Sequence, residues 1–239
     1  MADRPKALVL AGGLGTRLQP YTFFVPKPML PLADKPLLEH LLGWLKRNGV
    51  KEVVISVSYL RSVIENYFEN GNVMGLDISY ARSKSPLGIG GQILTAKDAL
   101  NSTFYLLYGD SVFDFDIRKM LKIHRDSKAS LTLGLMHYSE KNKYGFVERK
   151  ERGQVTSWQE KPEIGGLINI GCYVAEPLLF KYIPKGRMYG FDSVVRDMIK
   201  HGERVFSYLV EGKQFIDIGD ERSYRLAYDL YLKKLGKVL

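Results

Sequence analysis

The sequence predicts an α/β domain with a mixed, mainly parallel sheet. Apolar, strand-like runs alternate with amphipathic helical patterns over the first 138 residues, which is typical of βαβ units. After Tyr138 the pattern changes to short strand-like segments separated by turns, which predicts a smaller antiparallel portion. The 239 residues suffice for one such domain to bury a full core, so we expect a single domain over 1–239.

Hydrophobic spacing predicts the individual elements of this domain. Leu38, Leu41, Leu42 and Leu45 recur at helical spacing, and Gly49 follows as a stop signal. Helices are predicted over 36–48, 61–68, 91–100, 116–127, 176–182, 191–201 and 220–234. Strands are predicted at KALVLA, EVVISVS, DISYA, TFYLLYGD, SLTLGLMHY, GFVER, QVTSWQ, LINIGCYVA and RVFSYLV.

The composition is that of an ordinary soluble globular protein, with 45% hydrophobic and 26% charged residues. No apolar run is long enough to cross a bilayer, and the start MADRPKALVLAGG is not a signal peptide, so we expect a cytoplasmic protein without a membrane partner. Cys172 is the single cysteine and lies in an apolar strand, which favours packing over a catalytic thiol. The net charge of +9 comes from scattered Lys and Arg without a recognised nucleic-acid motif, so we expect no nucleic-acid partner.

A glycine-rich turn follows the first predicted strand, in the segment LAGGLGTRLQPYTFFVPKPMLPL. Glycines at this point let backbone N–H groups approach phosphate oxygens, which a Cβ atom would block. Arg17 can donate two hydrogen bonds to phosphate oxygens, and Lys27, held between two prolines, adds a point charge. The turn therefore predicts a phosphate-binding site.

Two familiar phosphate loops do not fit this turn. A P-loop needs Gly-Lys-Ser/Thr after its glycines, whereas Arg17 follows Thr16 here. The dinucleotide-binding fingerprint needs a third glycine, whereas Leu18 occupies that position. The chain is therefore expected to use another kind of nucleotide-binding turn.

The complete segment, from its glycines through Thr-Arg to Pro-Lys-Pro, resembles the signature of the sugar-1-phosphate nucleotidyltransferases. Six further segments resemble that family in the same order: PLGIGGQ from Pro86, YGDSVFDFD from Tyr108, YGFVE from Tyr144, EKP from Glu160, NIG from Asn169 and FIDIGDERSY from Phe215. The resemblance covers nearly the whole chain. It implies a Rossmann-like α/β/α sandwich whose residues 1–138 mainly bind the nucleotide and whose residues 139–239 mainly bind the sugar.

The resemblance also implies the reaction. A sugar 1-phosphate attacks the α-phosphorus of a nucleoside triphosphate in line, and pyrophosphate leaves. Both reactants are anions, so cationic side chains and a Mg²⁺ ion are the expected means of overcoming their repulsion. No nucleophile motif appears and no histidine pair has zinc spacing, which fits direct displacement without a covalent enzyme intermediate.

Two aspartates are implied as the ligands of one Mg²⁺. Asp110 ends a buried strand, and Asp217 follows an apolar pair before Ile218-Gly219. The alternative is that Asp110 caps the next turn and Asp217 merely ends a strand. Asp114 is a nearby alternative ligand, whereas Asp116 has the position of a helix N-cap.

The family pattern implies further roles for the cations and small residues. Arg17 holds the β- and γ-phosphates, Lys27 neutralises charge near the reacting phosphates, and Lys161 holds the phosphate of the sugar; the alternative for each is a solvated surface cation. The implied nucleotide-binding residues are Leu10, Ala11, Gly12, Gly13, Gly15, Thr16, Gly88 and Gln92. The implied sugar-binding residues are Gly145, Glu160 and Asn169, with Gly145 and Gly171 leaving room for the ring and Asn169 alternatively a strand-edge residue.

The base and the sugar are less defined by the sequence. Thymidylyltransferase-like members carry a base-reading glutamine where this chain has Gly91, and Gln92 follows one residue later. PLGIGGQ and VSYLRSVIENYF look closer to mannose- and heptose-phosphate guanylyltransferases, which favours a hexose or heptose 1-phosphate and leaves GTP, UTP and dTTP open. We expect no β-helix second domain and leave homo-oligomerisation open.

Other functions remain as alternatives at this point. They are a glucose-1-phosphate thymidylyl- or uridylyltransferase, a non-catalytic regulatory homologue that binds a nucleotide sugar, a nucleic-acid binder suggested by charge alone, and a choline-phosphate cytidylyltransferase relative.

Overall fold

The computed structural model describes residues 5–83, 88–212 and 215–234. The strands are β1 Lys6–Leu10, β2 Pro31–Leu32, β3 Lys35–Pro36, β4 Glu52–Val57, β5 Asp77–Arg82, β6 Phe104–Tyr108, β7 Ser111–Phe113, β8 Leu131–Lys141, β9 Phe146–Arg149, β10 Val155–Gln159, β11 Glu163–Ala175, β12 Val205–Val210 and β13 Phe215–Asp217. The α-helices are α1 Leu37–Arg47, α2 Arg61–Phe68, α3 Gly88–Thr95, α4 Ile117–Asp126, α5 Phe191–Lys200 and α6 Glu221–Lys234.

A seven-stranded sheet forms the centre of the fold, in the order β12-β8-β11-β6-β1-β4-β5. Every strand is parallel to the others except β11, which is antiparallel to both of its neighbours. The predicted mixed, mainly parallel sheet is therefore confirmed. The antiparallel strand lies in the second half of the chain, as the change of pattern after Tyr138 predicts.

Both faces of the sheet are covered, which makes the fold an α/β/α sandwich. In β1, Ala7 and Val9 belong to the core on one face, whereas Leu8 belongs to the core on the other. Helices α1, α2 and α4 supply the first core, and α3 and α5 supply the second. Because successive side chains of a strand point to opposite faces, a strand between two helical layers is apolar throughout. This is why KALVL lacks the alternation of a half-exposed strand.

The helix predicted over 91–100 begins earlier and ends earlier than expected. It runs over Gly88–Thr95 and is followed by a 3-10 turn at Lys97–Ala99. The segment interpreted as a second glycine loop therefore lies largely inside α3, although Pro86 and Leu87 are outside the described residues. The backbone N–H of Gly90 donates to the carbonyl of Tyr189 at 2.9 Å, and a Cβ atom at Gly90 would lie 2.8 Å from that oxygen. Gly90 thus allows α3 to approach that backbone closely.

The ends of β8 and β11 extend beyond the sheet as an exposed arm, which we define as residues 139–167. Strands β9 and β10 form an antiparallel hairpin in the arm, and every residue of both strands is exposed. The first five residues of β11 are exposed as well, whereas its last six are buried. The arm carries its side chains in solvent, and the sheet below it forms the core.

A buried polar network ties α4 to the sheet. His124 is 1% exposed, and its ring lies 2.9 Å from the Thr132 hydroxyl and 3.1 Å from Glu176 Oε1. Thr103 also donates to Glu176 Oε1, at 2.6 Å. A neutral imidazole suits this arrangement, since Nε2–H can donate to the carboxylate while Nδ1 accepts from the hydroxyl. Burial lowers the pKa of His124, although the Glu176 carboxylate acts against this effect.

We predict that this burial makes the stability depend on pH. Below about pH 6.5, His124 is protonated in the unfolded chain but stays neutral in the folded chain until a lower pH. The free energy of unfolding is therefore highest above that pH and falls as the pH falls. The loss is at most about 1.4 kcal/mol per pH unit for one histidine. Urea unfolding between pH 7.5 and 5.5 measures it.

The comparison variant is His124→Gln. Its free energy of unfolding should decline less steeply between pH 7.5 and 5.5 than that of the wild type. His40, whose pKa is also lowered by burial, should account for a further part, so His40→Gln in the same background should flatten the slope again. An unchanged slope in both variants would contradict the prediction.

Candidate active site

A cleft of about 620 Å³ opens at the carboxyl ends of β1 and β6. The chain runs from β1 outward to β4 and β5 on one side and returns on the other side of β1 as β6. Open α/β sheets bind ligands at such a reversal of strand order. Of the residues predicted from sequence, the cleft is lined by Leu10, Ala11, Gly13, Arg17, Lys27, Gln92, Asp110, Asn169, Gly171 and Asp217.

The glycine turn is held by hydrogen bonds at Gly12 and is open at Gly13. The Gly12 N–H donates to Gln92 Oε1 at 2.9 Å, and the Gly12 carbonyl accepts from the Ser58 hydroxyl at 2.7 Å. A Cβ atom at Gly12 would lie 2.9 Å from Gln92 Oε1 and would push that side chain away. At Gly13, by contrast, no atom lies within 4 Å of the Cβ position. Gly13 therefore leaves room for a ligand to approach the backbone.

Lys27 carries a nearly buried positive charge into the cleft. It begins a 3-10 turn, Lys27–Met29, between Pro26 and Pro28, and the residue is 8% exposed. Its Nζ atom lies 2.5 Å from Asp110 Oδ2. The prolines restrict the backbone around it, so the stem of the side chain starts from a defined direction. The predicted alternative of a solvated surface lysine is thus wrong for Lys27.

The two aspartates meet because their strands pair. Strand β13 is antiparallel to β7, with Asp217 opposite Ser111, and the Ile218 N–H donates to the Asp110 carbonyl at 3.2 Å. Residues more than 100 positions apart in the chain are therefore adjacent in the cleft. Burial, and then the Asp110 carboxylate, raise the pKa of Asp217, whereas Lys27 and Arg17 act to lower it.

Arg17 completes this charged cluster. It lies in a 3-10 turn, Thr16–Leu18, directly after the glycines. A Cβ atom at Gly219 would lie 2.8 Å from Asp217 Oδ2 and 3.6 Å from Arg17 Nη1, so the guanidinium and the carboxylate both lie near Gly219. Two carboxylates and two cations thus share one end of the cleft, next to the open side of the glycine turn.

The neighbouring acidic residues have other roles in the described part of the chain. Asp116 caps α4, because its side chain accepts from the Arg118 N–H at 3.0 Å, as the sequence predicts. Asp114 lines a separate, smaller cavity beside Trp44. Neither residue lines the main cleft.

The opposite wall of the cleft comes from β8 and β11. The register between these strands shifts between Asn169 and Tyr173, and this irregularity places Asn169 in the cleft wall. Gly171, at φ 71°, lies so close to Tyr108 that a Cβ atom would be 2.7 Å from its ring. The absence of a side chain at Gly171 thus gives room to the Tyr108 ring, and both residues line the cleft.

Several predicted residues do not line the cleft. Gly145, Glu160 and Lys161 lie on the exposed arm, where the Gly145 Cβ position is 3.0 Å from Glu160 Oε2 and 3.3 Å from the Trp158 ring. The space at Gly145 is thus filled by these two side chains. Gly88 packs against the backbone of Tyr189. Gly15 and Thr16 shape the glycine turn without facing the cleft.

The sequence interpretation missed most of the apolar lining. These residues are Pro28, Ile89, Tyr108, Met136, Tyr138, Ile168, Ile170 and Phe215, together with the polar Ser111. Tyr108 had a signal, because it lies two residues before Asp110 at the end of a predicted strand. The strand residues Met136, Tyr138, Ile168, Ile170 and Phe215 had none, since they face the cleft only through the pairing of β8, β11 and β13.

The chemistry open to the site is limited by what surrounds it. Within 5–83, 88–212 and 215–234, no three His, Cys, Asp or Glu side chains come together as a metal-binding group. Cys172 is fully buried, and burial raises the pKa of its thiol, so the expected packing role is confirmed. No helix in the described ranges has the length and apolar character to cross a bilayer. Lys27 and Arg17 give the cleft two cationic groups that can contact an anionic ligand.

Comparison with known proteins identifies the family of the chain. Residues 6–234 match the nucleotidyl transferase family. Because the match spans almost all of the chain, the chain belongs to the nucleotidyl transferase family. The relatives described next confirm the predicted resemblance to sugar-1-phosphate nucleotidyltransferases.

Two curated relatives and one crystal structure illustrate the similarity. Mannose-1-phosphate guanylyltransferase of Mycobacterium tuberculosis is 35% identical over 223 residues, which cover 91% of this chain and 62% of that protein. D-glycero-alpha-D-manno-heptose 1-phosphate guanylyltransferase of Campylobacter jejuni is 35% identical over 220 residues, which cover 92% of this chain and 96% of that protein. HddC from Yersinia pseudotuberculosis, complexed with GMP-PN, has a TM-score of 0.75 and 27% identity, covering 95% of this chain and 99% of its own.

We predict that Gly171→Ala will destabilise the fold. The added methyl group would collide with the Tyr108 ring, and the backbone conformation is strained for alanine, so the cost should be about 1–3 kcal/mol. Gly166→Ala is the matched control on the same strand, since nothing lies within 4 Å of its Cβ position. Thermal unfolding compares them: equal melting temperatures would contradict the assigned contact with Tyr108.

Proposed function

We propose that this protein transfers a nucleoside monophosphate from a nucleoside triphosphate to a sugar 1-phosphate, yielding a nucleotide sugar and pyrophosphate. The favoured substrates are GTP and a hexose or heptose 1-phosphate. The observation that carries the proposal is the meeting of Asp110, Asp217, Lys27 and Arg17 beside an open glycine turn in one cleft. Family membership and the guanylyltransferase relatives support the same reaction.

Asp110 and Asp217 are the proposed ligands of one Mg²⁺ ion. Mg²⁺ prefers oxygen ligands, and it commonly takes one or two carboxylates and completes its coordination with water and substrate phosphates. Two adjacent carboxylates in a cleft that admits phosphates fit that donor set. When bound, the ion would neutralise negative charge on the phosphates.

The reaction needs positive charge at two places, namely the reacting α-phosphate and the leaving pyrophosphate. An oxygen of the sugar phosphate forms a bond to the α-phosphorus, and the bond from that phosphorus to the oxygen bridging to the β-phosphorus breaks, so pyrophosphate leaves with its electron pair. Arg17 is proposed to hold the β- and γ-phosphates and to stabilise the leaving group. Lys27, at the floor of the cleft, is proposed to offset charge at the reacting phosphates.

The nucleotide is proposed to bind along the first half of the chain. Leu10, Ala11 and Gly13 line the cleft beneath the glycine turn, while Gly12 and Gln92 hold the turn in shape. Because Gln92 Oε1 already accepts from Gly12, its Nε2 amide group is what remains to donate to a base. Guanine and the pyrimidines all offer carbonyl oxygens to such a donor, so the preference for GTP rests on the relatives.

The sugar is proposed to bind along the second half of the chain. Asn169 is available in the wall of the cleft, next to Tyr108 and Tyr138. Glu160 and Lys161 lie on the arm outside the cleft, so their proposed contacts with the sugar and its phosphate require the arm to bring them inward. Such closure would also exclude water from the reacting phosphates.

We predict that the purified protein releases pyrophosphate in the presence of Mg²⁺, GTP and mannose 1-phosphate or a heptose 1-phosphate. A matrix of five triphosphates against a panel of sugar 1-phosphates measures this directly. GTP should give a kcat/KM at least ~10-fold above UTP and dTTP. Preference for dTTP or UTP would instead identify a thymidylyl- or uridylyltransferase. Binding of a nucleotide sugar without turnover of any pair would identify a regulatory homologue.

We predict that Asp110→Asn and Asp217→Asn each lower kcat at least ~100-fold, because each removes a negatively charged oxygen ligand. Asp126→Asn, at an exposed surface position in α4, is the control and should retain wild-type turnover. Circular dichroism and melting temperature show whether each variant is folded. Wild-type turnover in either folded cleft variant would rule out the proposed Mg²⁺ site.

A further inference from the structure

The orientation of the Asn169 amide is determined by its neighbours. The Gly171 N–H lies 3.2 Å from Asn169 Oδ1, and a backbone N–H can only donate, so the carbonyl oxygen of the amide must be on that side. The amide nitrogen therefore faces the Tyr173 hydroxyl, to which it donates at 2.6 Å. Each contact uses half of the hydrogen-bonding capacity of one end of the amide.

The Tyr173 hydroxyl continues this chain of hydrogen bonds. Its oxygen accepts from Asn169, so the direction of that amide N–H is set by a buried group. The Tyr173 ring also packs edge to face on the Tyr108 ring, with centroids 5.8 Å apart. Tyr108 in turn lines the cleft.

Tyr173 itself is sealed away from the cleft. It is fully buried in the core between the sheet and α5, where its ring lies 4.5 Å from that of Phe191. It nevertheless contacts two residues of the cleft wall, since it hydrogen-bonds Asn169 and packs against Tyr108. A buried hydroxyl that accepts from an amide restricts the direction in which that amide can donate.

We propose that Tyr173 is a positioning residue for the sugar 1-phosphate, acting through Asn169 and Tyr108 without touching the ligand. This Asn169–Tyr173 bridge leaves the second N–H of Asn169 as an oriented donor toward the cleft, beside a Tyr108 ring held in place by packing. An oriented N–H of this kind can recognise an acceptor oxygen of a sugar ring. The inference rests on the proposed function, because it takes the ligand at this wall to be the sugar substrate.

Tyr173→Phe tests the inference, because it removes the bridge and keeps the ring. With GTP and mannose 1-phosphate, or the best pair from the substrate matrix, we expect KM for the sugar 1-phosphate to rise about 10-fold. KM for the triphosphate and kcat should change by less than about 2-fold, since the nucleotide side is untouched and only binding to the sugar is weakened. A purely structural tyrosine would not separate the two KM values.

Tyr105→Phe is the matched control. Tyr105 is also a buried tyrosine of the central sheet, on the neighbouring strand β6, but it borders a different cavity near Arg118 and Arg125. It should leave both KM values within about 2-fold of wild type. A second test combines Tyr173→Phe with Asn169→Ala. Since Asn169→Ala removes the amide that Tyr173 orients, adding Tyr173→Phe to that variant should change log KM by at most about half as much as it does in the wild type.

The outcomes separate the two proposals. If the wild-type protein turns over no pair in the matrix, the proposed function fails and the inference fails with it. If the wild type is active but Tyr173→Phe changes neither KM, or raises both equally, the inference is wrong while the function stands. If the effects of Tyr173→Phe and Asn169→Ala on log KM simply add in the double variant, the inference that Tyr173 acts through Asn169 is also wrong.

Discussion

A lysine ammonium group that is almost out of water, held against a carboxylate, is the constraint around which this molecule is arranged. Charges removed from water are costly unless they are paired, so Lys27 and Asp110 must stay together. That requirement ties the Pro-Lys-Pro turn to the end of β6. The pairing of β7 with β13 adds Asp217 to the same place. Three distant segments thus converge, and their charges are available to phosphorylated ligands.

The two sides of the cleft differ in how firmly they are held. The proposed nucleotide side rests on β1 and α3, where the Gly12 N–H donates to Gln92 and the Gly12 carbonyl accepts from the Ser58 hydroxyl. The proposed sugar side continues into the exposed arm, which carries Lys161 outside the cleft. A charged centre held by strand pairing beside an exposed arm suits a reaction in which the two anionic substrates must be admitted before water is excluded. On this side, β11 presents the polar Asn169 side chain to the cleft.

Much of the architecture followed from local sequence pattern. The strands with continuous apolar runs, the leucine spacing of α1 and the Asp116 cap of α4 all lie where the pattern predicts them, because burial on two faces, helical periodicity and capping act over a few residues. The boundaries of α3 were wrong. Its glycines favour a loop by intrinsic preference, but contact with the Tyr189 backbone makes them part of a helix, and such contact has no local signal.

The sequence by itself determined the fold class, the open glycine turn after β1 and the identities of the charged residues, because strand periodicity, backbone freedom and side-chain charge are properties of short segments. Only the tertiary structure decided which of those residues meet. Strand pairing brought Asp217 to Asp110, burial gave Lys27 its partner, and the register shift in β11 turned Asn169 toward the cleft while Gly171 received the Tyr108 ring. Register and burial are set by contacts between segments far apart in the chain, and the sequence of one segment does not specify which other segment it will contact.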